Sequence, residues 1–158
     1  MKRIGLGAAG ILFAVAGIAA AVYFSKYEEW VTIPNARASL VGNLRDPSSA
    51  QFRNERLTPR GTLCGEINAK NGMGGYIGFR KYIAYGVGAN YIEKDGVLGE
   101  WSGQDFIEKL EKKTEILKLH NKWVEEGVAV PKYSESEIEE LARERLFDDK
   151  WRGLCEST

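Results

Sequence analysis

Hydrophobic and polar residues alternate most clearly between Gly61 and Tyr85. Leu63, Gly65, Ile67 and Ala69 share one phase, while Thr62, Cys64, Glu66, Asn68 and Lys70 share the other. A period of two is the pattern of a half-buried strand, because successive side chains leave opposite faces of the backbone. The second limb sets Ile77, Phe79, Ile83 and Tyr85 against Tyr76, Gly78, Arg80 and Tyr82, with Lys81 out of phase. Between the limbs, Asn71-Gly72-Met73-Gly74-Gly75 supplies residues that tolerate the positive φ angles of a tight reversal. The stretch predicts a hairpin with a glycine-rich, bulged end. Its bare backbone N–H groups also suit a ligand or partner. Asn68, Lys70, Asn71, Gly74, Gly75 and Tyr76 are therefore candidate partner-binding residues, joined by Arg53 from the basic segment just upstream. The cluster has neither the P-loop nor the dinucleotide spacing.

Two further short strands are expected at Val87–Glu93 and Val97–Trp101, joined by a two-residue Asp95-Gly96 turn. Residues 61–101 then form an antiparallel meander of about four strands. The helical period appears on both sides of it. Pro34 opens a helix to Leu44 whose Ala36, Leu40, Val41 and Leu44 share a face, and this face is expected to cover the sheet. Asp46-Pro47 resets the chain, and a short turn over Ser48 to Gln51 delivers Phe52 to the core. Arg37, Arg45, Arg53, Arg56 and Arg60 make this region basic and predict a solvated rim.

After the meander, Ser102 begins a helix spanning 103–126 and closed by Gly127. Phe106, Leu110, Leu117 and Val124 form one stripe, and Ile116, Leu119 and Trp123 a neighbouring one. These read as core contacts rather than a coiled coil, because the heptad counted from Phe106 fails at Lys113. Val128 to Tyr133 is a link, and Ser134 with Glu137 offers a capping box for a last helix over 135–150. Ile138, Leu141, Ala142 and Leu146 form its apolar face, and Phe147, Trp151 and Leu154 are expected to dock back onto the body. The fold class is α+β: a meander, one preceding helix, two C-terminal helices, and an N-terminal membrane or signal helix.

That first segment, Ile4 to Phe24, carries no charge and follows Lys2 and Arg3. As a helix it would be about 30 Å long, the thickness of the hydrocarbon core. The basic residues would stay on the cytoplasmic side and residues 34–158 would fold as one domain across the membrane. Two versions stand: an uncleaved single-pass anchor through residues 4–24, or a signal peptide cut after Ala19-Ala20-Ala21. Residues 25–33 link the segment to the domain, and Tyr23, Tyr27 and Trp30 flank it as interfacial aromatics do.

The chain has 158 residues, with 22 basic and 22 acidic side chains. The balance is uneven, with a net +2 over residues 1–24, +3 over 25–98 and −5 over 99–158. No stretch is basic enough to argue for nucleic acid, and no nucleic-acid-binding signature is present.

Cys64 and Cys155 are the only cysteines. In an oxidising compartment two cysteines predict one disulfide, here closing 91 residues and pinning the tail to the sheet. The alternative is two separate thiols. Cys64 with His120, the single histidine, is the nearest thing to a nucleophile and base, yet nothing local activates either. One histidine and two distant cysteines lack zinc-ligand spacing, so no metal and no cofactor are expected. Asp46 and Glu66 as an acid/base pair carry no signal among so many acids.

Residues 44–53, Leu-Arg-Asp-Pro-Ser-Ser-Ala-Gln-Phe-Arg, followed by Cys64-Gly65-Glu66-Ile67-Asn68-Ala69-Lys70-Asn71 and Gly74-Gly75-Tyr76-Ile77-Gly78-Phe79, resemble a set of small, mostly uncharacterised bacterial envelope and prophage proteins. The shared pattern is an apolar start, a DPxSAxF turn and a CGExNAKN…GGYxGF strand pair, and it covers about residues 40 to 80. The resemblance implies a bacterial inner-membrane or periplasmic setting and no particular reaction. The favoured expectation is a non-enzymatic envelope protein that binds another protein, with a phage-associated or inhibitor role admitted by the resemblance alone. An envelope enzyme using Cys64, and a structural subunit of an envelope complex, are the alternatives.

Overall fold

A computed structural model describes residues 5–86, 89–99 and 101–156, with side chains from Val15 onward. The fold is α+β, with a five-stranded antiparallel sheet in the order β1-β2-β3-β4-β5. The strands are β1 Gln51–Leu57, β2 Leu63–Asn68, β3 Arg80–Ala84, β4 Asn90–Ile92 and β5 Gly96–Leu98. Helices α1 Gly5–Tyr27 and α2 Ile33–Val41 precede the sheet, and α3 Gly103–Glu125 and α4 Glu135–Trp151 follow it.

Residues 25–33, the expected link, are helical. A π-helical turn at Glu28–Thr32 joins α1 to α2, and the Ile33 N–H bonds Glu28 O five residues back. Pro34 has no N–H to donate, and the helix widens in the turn that precedes it. Among the described residues no helix is long and apolar enough to cross a membrane. Ile4 and the side chains of residues 5–14, about half of the span expected at Ile4–Phe24, lie outside the described residues.

The sheet is covered on both faces, which corrects the expectation of half-buried strands. On one side Ala36 and Leu40 of α2 pack on Leu63, Ile67, Tyr82, Ala84 and Ile92. On the other, Cys64, Ile83, Tyr91 and Val97 pack on Phe147 and Cys155, with Trp151 and Leu154 partly buried beside them. The two phases read in β2 thus both point into cores. Cys64 and Cys155 are joined as a disulfide, with Cα atoms 5.9 Å apart, so the tail is fixed to the second strand.

The strand count also differs. β1 lies where only a short turn and a basic rim were expected. Its sequence QFRNERL has no clean alternation because it contains a bulge between Arg53 and Arg56, where the register to β2 shifts. Asn54 takes a φ of 53° there, a left-handed conformation that asparagine tolerates. The turn that does form upstream is a short 3₁₀ element, Pro47–Ser49. The second limb of the central hairpin is shorter than expected. Only Arg80–Ala84 pairs as a strand with β2, since Gly78 turns the chain at φ 92° and Lys70 meets Tyr76 through one isolated bridge.

The reversal before β5 is a three-residue loop, Glu93-Lys94-Asp95, rather than an Asp95-Gly96 turn. Ile92 pairs with Gly96, and Lys94 takes φ 71°. The expected strand Val87–Glu93 is Asn90–Ile92, and Val87, Gly88 and Glu100 lie outside the described residues.

Local capping signals are realised as read. Ser102 accepts from Asp105 N–H to open α3, and Gly127 ends it at φ 74°. Ser134 and Glu137 form a capping box for α4. The expected burial of α3 is not realised. Of its apolar residues only Ile116 is buried, while Phe106, Leu110, Leu117 and Val124 remain exposed. Ion pairs also bridge it to α4, including Lys109–Glu139, Lys113–Glu135, Lys112–Asp149 and Lys150–Glu108.

Candidate functional site

At the loop end of β2 and β3 the chain leaves a groove of about 430 Å³. Three segments build it. The turn after α2 contributes Asn43, Leu44 and Arg45. The β2–β3 connection contributes Ala69 to Gly72 and Ile77. The sheet and its β4–β5 loop supply Ile67, Arg80, Ile92, Asp95 and Leu98. The floor is aliphatic and the rim is polar, an arrangement suited to anchoring an apolar group and orienting a charged one.

The loop backbone lies close against Arg45: a Cβ on Gly72 would fall 2.7 Å from Arg45 Nη1, the far end of that flexible side chain. Arg80 Nη1 lies 2.8 Å from Asp95 Oδ2, which neutralises one rim cation. Among the described residues, Arg45 and Lys70 have no carboxylate within ion-pair distance. The Lys70 ammonium lies 5.5 Å from the Tyr76 ring centroid. The rim therefore carries a surplus of positive charge over an apolar floor.

The residues singled out from the sequence divide among different tasks. Asn71 is the organiser of its own loop: its N–H bonds Gly75 O at 2.9 Å, and its Oδ1 accepts from Met73 N–H at 3.0 Å and Gly75 N–H at 3.1 Å. Gly74 donates to Asn71 O and takes φ 81°. The N–H groups of Met73, Gly74 and Gly75 are thus engaged within the turn. Asn68 is buried, accepting from Gly78 N–H at 3.0 Å. Arg53 bonds Glu66 through Nε at 2.7 Å and its guanidinium carbon lies 3.8 Å from the Phe79 ring centroid. The Arg53 and Asn54 bonds hold Glu66 below its ordinary range. Tyr76 is half exposed, and Lys70 and Asn71 are the two of these residues that line the groove.

Arg45, Asn43, Arg80 and Asp95 were not singled out as site residues from the sequence. They come from three separate places in the chain, and no local spacing announces that they meet. Cys64 and His120 are not neighbours: Cys64 is bonded to Cys155, and His120 Nε2 lies 3.1 Å from Pro131 O beside the Tyr133 ring. Asp46 holds Ser48 Oγ at 2.7 Å, a bond that lowers the aspartate, and Glu66 belongs to the Arg53 pair instead. No group of three or more His, Cys, Asp or Glu side chains able to hold a metal occurs among the described residues.

Compared with known proteins, the chain matches no protein-family model, no curated protein and no solved structure.

Proposed function

We propose that this chain is a non-enzymatic, membrane-anchored or exported bacterial envelope protein whose folded domain binds another protein through the groove. The observation that carries this reading is the combination of an aliphatic floor with two rim cations, Arg45 and Lys70, that form no ion pair with a carboxylate among the described residues. Unpaired surface cations cost little when hydrated, but beside an apolar concavity they select an anionic, partly apolar segment. The partner would present a carboxylate next to an aliphatic side chain. The disulfide supports an oxidising compartment, since such bonds persist outside the reducing cytosol. The uncharged run Ile4–Phe24 after Lys2 and Arg3, and the motif resemblance of residues 44–79, support an inner-membrane anchor with the domain in the periplasm. Cleavage after Ala21 is the exported version of the same reading.

A photoreactive residue placed at Met73, 94% exposed beside the groove, tests the binding face in the full chain in cells. The expected result is a discrete heterologous adduct that Arg45→Glu with Lys70→Glu abolishes. The same residue at Arg60, at the other end of the hairpin, gives none. An adduct unaffected by charge reversal, or no adduct from Met73, overturns the assignment. A reporter fused after Thr158 tests the compartment separately: activity confined to the cytosol overturns it.

A further inference from the structure

Helix α3 carries an apolar seam that nothing among the described residues covers. Counted from Ile107 rather than Phe106, Ile107, Thr114 and Asn121 occupy one core position of a heptad and Leu110, Leu117 and Val124 the other, so four of the six are apolar. All six are exposed. Ile107 is 51% and Val124 55% accessible, in a helix whose other side is already packed through Ile116 and the ion pairs to α4. At 100° per residue the seam lies well away from Ile116, so α4 leaves it free.

We infer that α3 pairs with α3 of a second copy of this chain as a short, parallel, two-stranded coiled coil. The choice of occupant and of orientation follows from residue types. A β-branched residue at the first core position with leucine at the second favours two parallel strands. A single asparagine at the first position, here Asn121, meets its own copy and fixes register. The flanking positions in this register set Glu125 beside His120 and Glu111 beside Phe106 of the other copy. Lys118 meets Lys113, whose charge is already held by Glu135 at 3.1 Å and Glu139 at 3.8 Å. The seam spans about 27 Å. It is short for a free-standing zipper, so it works as a patch on a folded domain. The groove lies on a different surface and does not depend on this pairing.

Single cysteines at Leu110, Leu117 or Val124 test the geometry in the full chain in mild detergent, with the Cys64–Cys155 bond left intact. Under a mild oxidant all three variants should form covalent dimers, because a parallel register sets each position against its copy. Glu115→Cys and Lys122→Cys, on the outer face, should not. Cross-linking at only one seam position signals an antiparallel pair and overturns the proposal. Equal cross-linking at the outer positions, or none along the seam, does so too. Sedimentation gives a second measure: the wild-type chain should run as a dimer and Leu117→Glu as a monomer. Identical masses for the two overturn the inference.

Discussion

Tyr82 on β3 donates its hydroxyl to Glu55 on β1 across a position, Gly65 on β2, that has no side chain. Arg37 of α2 completes the cluster with two bonds to the same carboxylate. The bulge in β1 makes this possible: Asn54 and Glu55 together oppose Gly65, which turns Glu55 inward beneath α2.

That geometry predicts a pH dependence. Burial pushes the Glu55 carboxyl up, but its bonds to Arg37 and Tyr82 outweigh it and hold the group below the ordinary glutamate value of 4.5. A carboxylate depressed in the folded state adds stability above its unfolded pKa, and that stability is lost as pH falls through the folded value. Glu55→Gln should cost about 1–3 kcal/mol at pH 7. The gap to wild type should shrink below pH 4.5. Denaturant titrations at pH 7 and pH 3 check this, and a gap of constant size would contradict it.

Gly65 is required by approach rather than by backbone angle. A Cβ there would lie 3.0 Å from Tyr82 Cε1 and 3.0 Å from Glu55 Cγ. Gly65→Ala should destabilise by about 1–3 kcal/mol, as overpacking does. Combined with Tyr82→Phe, part of that cost should be relieved, because the hydroxyl also crowds the site at 3.1 Å. A double-mutant cycle reads the coupling.

The Cys64–Cys155 bond closes a separation of 91 residues. Loop entropy sets a ceiling of about 4–5 kcal/mol on its contribution. Reduction of the folded chain should lower the unfolding free energy by about 2–4 kcal/mol, measured by denaturation with and without reductant. A midpoint indifferent to reductant would mean that the tail docks through Phe147 and Trp151 alone.

Two phenylalanines on the C-terminal helices should respond unequally to truncation. Phe147, 1% exposed, stacks on Trp151 against the sheet, and Phe147→Ala should cost about 3–5 kcal/mol. Phe106, 48% exposed, should change stability by no more than about 0.5 kcal/mol when replaced by alanine. Thermal or denaturant unfolding of the two variants checks the contrast.

What the sequence alone determined was local. The α3 start at Ser102, the α4 box at Ser134 and Glu137, and the glycine stop at Gly127 each depend on residues a turn apart. The two phases of β2 follow from the pleat, and two cysteines in the chain leave only one possible intrachain disulfide. Tertiary structure decided the rest. β1 became a strand because β2 offered it an edge, while its bulge erased the alternation that would have announced it. The apolar stripe of α3 reads the same whether it is buried or bare, and only the position of α4 shows that Ile116 alone turns inward. The groove unites Arg45, Lys70, Arg80 and Asp95, whose meeting depends on sheet register and on close approaches such as Gly72 to Arg45. Contacts between residues so distant in sequence are set by packing, and no short window of the chain contains them.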